Sequence, residues 1–207
     1  MAELHQKQAR SQQTYSLLLE NAMEVLSGDS PENLRIPEIC RECATNSASA
    51  YYHFGSKEGL VTKAYVELFR QSSEPDIAGL ELLAEIATSG TEVISLFLGS
   101  ITNPATSEER KKNRNIRSRV YAAALTNTEL AKELVVIQDK YLTRATGAVE
   151  TLQQKGLANK ALSARQSAVL LESLFVSRST NDTHLTPESD ESWAQIIVEV
   201  LQRFLIN

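Results

Sequence analysis

Tyr15, Leu18, Leu19, Ala22, Val25 and Leu26 recur at the three- and four-residue spacing that lines one face of a helix, and predict a first helix over about residues 7–26. Ser27, Gly28 and Asp29 end it, and Ser30-Pro31 continues as a loop. Ile36, Ile39, Cys40 and Cys43 repeat the spacing over residues 34–43, with Pro37 near the start, where a missing amide donor costs nothing. Ala44 and Thr45 break this helix. Asn46 then caps a second short one, its side-chain oxygen placed to accept from the free amides of Ala48 or Ser49. Gly55-Ser56 opens a longer helix whose apolar face carries Leu60, Val61, Ala64, Tyr65, Leu68 and Phe69. It is expected to end near Ser72, with Glu74-Pro75-Asp76 as a boundary.

From Pro75 onward the chain is a series of helix-length segments without strand-like alternation or a two-residue hairpin turn. The segments are roughly residues 76–88, 91–102, 107–125, 127–155, 163–180 and 187–206. Ser163-x-x-Gln166 reads as a capping box, Gly156 follows a lysine at a helix C-terminus, and Thr186-Pro187-Glu188 supplies an N-cap, a first-turn proline and an acidic partner for the helix dipole. The fold class is therefore all-α: a three-helix head followed by a helical bundle. The last segment has a wide apolar face of Trp193, Ile196, Ile197, Val200, Leu201, Phe204 and Leu205. The one before it, with Ala168, Val169, Leu170, Leu171, Leu174 and Phe175, is apolar over more of its circumference than a single core contact requires.

With 207 residues, 42% of them hydrophobic, the chain can bury one large core or two modest ones. No apolar run approaches the roughly 18 to 20 residues that span a bilayer, and MAELHQKQAR lacks the basic-then-apolar profile of a signal peptide. A cytoplasmic location without membrane contact is expected. A net charge of −5 argues against non-specific coating of nucleic acid, which draws its strength from phosphate neutralisation. Even residues 1–70 hold seven Lys plus Arg against nine Asp plus Glu, so any DNA contact depends on local placement. Cys40-x-x-Cys43 has the form of a redox motif or half a zinc site, but no strand-helix setting and no further ligands at metal spacing accompany it; His5, His53 and His184 lie elsewhere. The two cysteines are read as small buried hydrophobes, with no metal and no cofactor expected.

Two short helices joined by a tight turn form a helix-turn-helix, whose second helix enters the major groove. The run AYYHFGSKEGL at residues 50–60 closes this unit with polar-tipped aromatics and a lysine; alone, it reads as an amphipathic helix end with ordinary surface aromatics. In context, residues 17–69, about a quarter of the chain, resemble the DNA-binding domain of the TetR family of bacterial transcriptional regulators. The resemblance rests on LLLENAMEVL, RIPEICRECA, TNSASAYYHF and SKEGL. It implies double-stranded operator DNA as partner and places the DNA contacts on Ser47, Ser49, Tyr51, Tyr52, His53 and Lys57, with Arg35 at the entrance of the second helix. The serines are short enough for base edges or phosphate oxygens, the aromatics can donate to phosphates or touch thymine methyls, and Lys57 is a point charge at a helix start. Phe54 and Ala50 are expected to face the core.

Three positions depart from the family pattern. Ala44 stands where the turn usually has glycine, Arg35 where a serine or threonine caps, and Ser47 where a basic residue is frequent. No bidentate reader of guanine or adenine sits at the tip of the recognition helix, so Arg35 or DNA shape would carry more of the specificity.

The resemblance further implies a DNA-binding domain over residues 1–74, and an effector-binding and dimerisation domain over 75–207. A small molecule of unknown identity would release the protein, most often a repressor, from its operator. Polar groups interrupting apolar helical faces make Arg117, Tyr121, Gln138 and Tyr141 the candidates for effector contacts, though each taken alone reads first as a structural or solvated residue. A homodimer would pair the last two helices through Leu170, Leu174, Ile197, Leu201 and Phe204; the alternative is that these complete the monomer core. The cationic run Arg110, Lys111, Lys112, Arg114, Arg117 and Arg119 is a solvated helix face or a surface for an anionic effector or partner. No motif of an enzyme is visible. The rival reading is a protein-interaction module derived from a helix-turn-helix that no longer binds DNA, motivated by the acidic head and the uncharged residue at 47.

Overall fold

The computed structural model describes residues 1–28, 31–181 and 189–206. Among these the helices are α1 (Ala2–Gly28), α2 (Ile36–Glu42), α3 (Ser47–Phe54), α4 (Lys57–Ile86), α5 (Gly90–Thr102), α6 (Ser107–Ala124), α7 (Thr128–Gln154), α8 (Ala164–Asn181) and α9 (Asp190–Val200). Short 3-10 turns at Pro31–Asn33 and Pro104–Thr106 and a π-helical turn at Leu201–Leu205 complete the elements. No strand occurs among the described residues; Ala158 and Ile206 form an isolated antiparallel bridge. Asp29, Ser30, His184 and the Thr186-Pro187-Glu188 cap lie outside the described residues.

The chain divides into two compact units, Met1–Arg70 with Val120–Leu134, and Gln71–Arg119 with Val135–Asn207. The division falls inside α4 and returns part of α6 and α7 to the first unit, so neither unit is the single stretch ending at residue 74 that the sequence suggested.

In the first unit α1 packs on α2 and α3, and α2 on α3. Leu18, Ala22, Leu26, Leu34, Ile39 and Leu60 are buried in this core. α1 begins near the N-terminus rather than at residue 7, because the exposed Gln, Lys, Ala and Arg residues of its first turns are good helix formers and lengthen a helix already nucleated by its buried half. Asn127 caps α7, accepting from the Leu130 amide at 3.0 Å and donating to the Thr62 hydroxyl at 2.9 Å.

In the second unit the expected boundary at Pro75 is absent. α4 runs through it, and residues 76–88 form its final turns rather than a separate helix. The proline is exposed, so its ring meets solvent instead of core, and Arg117 on α6 bridges the site. The guanidinium donates to the Ser72 carbonyl and to the Asp76 carboxylate, both at 2.6 Å. Arg144 braces the same helix lower down, gripping Glu81 with two hydrogen bonds of 2.8 and 2.6 Å and reaching Glu74 at 2.8 Å. Lys155 closes its end, donating to the carbonyls of Ala84, Glu85 and Ala87 at 3.0, 2.5 and 3.1 Å.

The Ser163–Gln166 capping box forms as expected, with hydrogen bonds of 2.9 and 3.3 Å. Gly156 ends α7 with a φ of 75°. The last helix is shorter than residues 187–206. Ser189 caps α9 by accepting from the Ser192 amide at 3.1 Å, and the α-helix gives way to the π turn at Leu201. Leu83, Phe97, Val149, Leu171, Ile197 and Leu201 are among the buried side chains that form the core of this unit.

Candidate nucleic-acid interface

The turn between α2 and α3 is set by backbone hydrogen bonds. The Thr45 amide donates to the Cys40 carbonyl at 2.9 Å and the Ala44 amide to the Arg41 carbonyl at 3.2 Å, the paired bonds of a Schellman motif. That motif requires a left-handed residue between helix end and exit, and Ala44 takes it, with φ 49°. The alanine therefore keeps the usual turn shape at a conformational cost of roughly 1 kcal/mol relative to glycine. Asn46 then starts α3, its side-chain oxygen accepting from the Ser49 amide at 2.9 Å. Ala50 is buried and fixes the rotation of the helix against the core.

With Ala50 inward, Ala48, Tyr51, Tyr52 and Gly55 lie outward at positions i, i+3, i+4 and i+7. Tyr51 is 49% exposed and Tyr52 82%. Ser47 and Ser49 are half-buried, and the Ser47 side chain hydrogen-bonds with the Cys40 thiol, which turns it toward the domain interior. Ala48 gives no signal in the sequence because a methyl group carries no chemistry. It is exposed in the first turn of α3.

The aromatic side chains form one cluster. Tyr15 of α1 stacks on Phe54 with ring centres 4.8 Å apart and meets the edge of His53 at 5.9 Å; Tyr52 and His53 meet edge to face at 5.2 Å. Phe54 is thus half-buried against Tyr15, and His53 is held between Tyr15 and Tyr52. Tyr15 is legible in the sequence only as a core position; its role as the support of the helix end needs the packing. Arg35 is exposed at the N-cap of α2, with no side-chain hydrogen bond to the helix. Lys57 is half-buried, its ammonium 3.4 Å from the Glu32 carbonyl, a long contact that leaves donors for an anion. Arg41, also exposed, adds a cation on α2 that the motif does not single out.

Cys40 is buried and Cys43 half-buried, both as free thiols. Burial pushes both thiols above their usual range; for Cys40 the Ser47 hydrogen bond offsets part of this, and for Cys43 the neighbouring Cys40, Glu42 and Glu20 add to it. Protonated thiols are poor nucleophiles and metal ligands. Cys43 accepts from the Asn21 side-chain amide at 3.3 Å, a link between α1 and α2. Among the described residues no group of three or more His, Cys, Asp or Glu could hold a metal ion, and no helix is long and apolar enough to cross a membrane.

Of the residues suggested for an effector, Arg117 and Tyr121 lie one turn apart on α6, and Gln138 and Tyr141 one turn apart on α7. Arg117 is engaged at Ser72 and Asp76, Tyr121 meets the edge of Phe69 at 5.6 Å, and Tyr141 lies under the Arg144 guanidinium at 5.8 Å. Gln138 is half-buried on α7. A cavity in the second unit is lined instead by eleven apolar side chains and Ser167, with none of these four among them. In the cationic run, Arg114 is buried, Arg110 donates to the Asn103 carbonyl at 2.9 Å, and Lys111 and Lys112 are exposed. Of the expected dimer positions, Ile197 and Leu201 are each 3% exposed and belong to the subunit core, because α9 turns its apolar face onto α5. Leu170 and Leu174 are half-buried against that core, and the Phe204 side chain lies outside the described residues. Val169 and Val176 on α8 and Ile196 on α9 are the exposed apolar positions of these two helices.

Residues 18–64 match the model of the bacterial regulatory proteins of the tetR family. The N-terminal region of the chain is of the TetR family. Solved structures agree on the fold of the whole. A candidate TetR-family transcriptional regulator from Mesorhizobium loti MAFF303099 aligns with a TM-score of 0.75 at 16% identity, over 96% of this chain and 99% of its own. A TetR transcription regulator from Haloarcula marismortui ATCC 43049 gives 0.69 at 13% identity, over 93% and 98%. A candidate transcriptional regulator from Saccharomonospora viridis, in complex with choline, gives 0.70 at 16% identity, over 93% and 97%. No curated protein matches the sequence. α2, the Schellman turn and α3 lie inside the matched stretch, so the chain has the helix-turn-helix head and helical C-terminal region of a TetR-type transcriptional regulator. That family is one of regulators, not enzymes.

Proposed function

We propose that the chain represses transcription as a homodimer, gripping operator DNA with the head of residues 1–74 and leaving it when a small molecule binds within residues 75–207. The observation that carries this reading is the outward face of α3. Asn46 and the left-handed Ala44 fix the helix, Ala50 fixes its rotation, and Ala48, Tyr51 and Tyr52 project at helical spacing with the exposed Arg35 on the same small domain. That face carries hydrogen-bonding tips and a methyl group but no charge, so affinity would come from backbone contacts of two heads rather than from base-reading cations.

Val169, Val176 and Ile196, flanked by the half-buried Leu170 and Leu174, supply the apolar surface for pairing the last helices of two chains. The Saccharomonospora neighbour holds choline; here the corresponding reading is only that the C-terminal region takes some small molecule.

The test is fluorescence anisotropy with a palindrome from the neighbouring promoter at two salt concentrations. Specific binding that weakens steeply with salt supports the regulator. No binding at low salt would favour the interaction module, a reading that the uncharged α3 face also fits.

A further inference from the structure

Ser167 lies on α8 with 2% of its surface exposed, and its hydroxyl has no hydrogen-bond partner among the described residues. A helical serine ordinarily returns its hydrogen bond to a carbonyl of the preceding turn. Ser173 and Ser177 on the same helix do so, donating to Val169 and Leu174 at 2.8 Å each. Ser167 instead lines the cavity of the second unit, facing apolar side chains that include Leu83, Phe97, Val149, Leu152 and Leu171. A buried hydroxyl without a partner carries its full desolvation cost, so one hydrogen-bonding atom is what this cavity wall lacks.

The wall also limits the chemistry of an occupant. None of the residues lining the cavity is Asp, Glu, Lys, Arg or His, so a charged guest would leave water without a counter-charge. Phe97 is the one aromatic ring of the lining, too few for the cage that receives a quaternary ammonium group. The cavity has a volume of about 30 Å³ and is partly open to solvent, which suits a guest well below drug size.

We infer that this cavity takes a short, uncharged, hydrocarbon-rich molecule bearing one hydroxyl or carbonyl oxygen, held by apolar contact and by a single hydrogen bond to Ser167. The inference rests on the reading of residues 75–207 as an effector domain, and it names the class of effector. Because the hydroxyl of Ser167 both donates and accepts, alcohols and ketones share the site.

The test titrates the full chain, without DNA, with 1-hexanol and with hexanoate, followed by calorimetry and by the fluorescence of Trp193, the chain's one tryptophan, which packs against the core that borders the cavity. Saturable binding of 1-hexanol is expected, with hexanoate at least about tenfold weaker because its charge goes unpaired. In Ser167→Ala, 1-hexanol affinity falls about three- to tenfold, the worth of one neutral hydrogen bond, while the thermal midpoint of the unliganded protein holds or rises. Hexanoate binding as tightly as the alcohol, no saturable binding of 1-hexanol, undiminished binding by Ser167→Ala, or a lowered midpoint in that variant would each overturn the inference. Operator binding is measured separately, so a failure of the regulator reading leaves these titrations interpretable, and the reverse holds too.

Discussion

Arg117 and Asp76 form an ion pair of 2.6 Å in which the arginine side chain is only 15% exposed, and the same guanidinium nitrogen donates to the Ser72 carbonyl. The two contacts lie on either side of Pro75, where α4 loses one amide donor. Replacing Arg117 by Met keeps the bulk and removes both contacts, and is expected to cost about 1–3 kcal/mol with faster amide exchange around residues 72–79. Asp76→Asn keeps the bond to Ser72 and should cost less. Denaturant melts and hydrogen exchange of both variants decide this; unchanged exchange in Arg117→Met would mean that α4 spans the proline without help.

Two glycines of α4 should respond oppositely to alanine. A Cβ on Gly59 would lie 2.0 Å from the Phe54 carbonyl oxygen, where the end of α3 crosses the start of α4, and backbone cannot yield cheaply there. A Cβ on Gly79 meets nothing within 4 Å. Gly59→Ala is expected to destabilise by about 1–3 kcal/mol or more, and Gly79→Ala to stabilise by roughly 0.5–1 kcal/mol through helix propensity. Thermal midpoints of the pair give the answer.

Ala44→Gly should stabilise the head. The left-handed φ of 49° is one that glycine adopts without penalty, while glycine also gains freedom in the unfolded chain. The net expectation is about 0.5–1 kcal/mol of added stability, read from urea melts. A fall in stability would mean that the turn tolerates the methyl group at no cost.

What could be read in advance divides by distance along the chain. Asn46, Ser163 and Gln166 act on amides three residues away, so their caps stood in the sequence. Pro75 misled because the residue that bridges it, Arg117, lies 41 positions from its partner Asp76. The spacing of Ile197 and Leu201 announced burial without saying against what, and both lie in the core of the second unit. Ser167 gave no signal at all: a serine on a helix is ordinary until the cavity around it is assembled from α4, α5, α7, α8 and the Leu201–Leu205 turn. In the head, the motif located α3, but which of its residues point outward depended on where Ala50 anchors it.

Acid should unfold the second unit partly through two glutamates. Hydrogen bonds from Arg144, then its charge, hold the Glu81 carboxyl below the ordinary range, and hydrogen bonds from the Thr88 hydroxyl and amide do the same for Glu92. A carboxyl whose pKa is lower in the folded than in the unfolded state contributes stability above the unfolded value, roughly 4.3, and loses it as pH falls through the folded one. Denaturation midpoints measured from pH 6 down to 3 should therefore fall, and Glu81→Gln should start lower at pH 6 and show a shallower decline. A parallel decline in the variant would remove Glu81 from the account.

Tyr52 and Lys57 should weaken operator binding in distinguishable ways. Tyr52 is uncharged and 82% exposed, so Tyr52→Ala removes a hydrogen bond or an apolar contact and lowers affinity by a similar factor at every salt concentration. Lys57 is a cation whose ammonium makes a long 3.4 Å contact to the Glu32 carbonyl. If it neutralises a phosphate, Lys57→Ala flattens the slope of log affinity against log salt by about 0.9 for each phosphate left without its lysine, or twice that for two heads. The double variant is expected to bind at least about tenfold more weakly while remaining folded. An unchanged slope in Lys57→Ala would leave that ammonium as a brace for the loop before α2, and the grip on the backbone would fall to Arg35 and Arg41, the exposed cations at the two ends of α2.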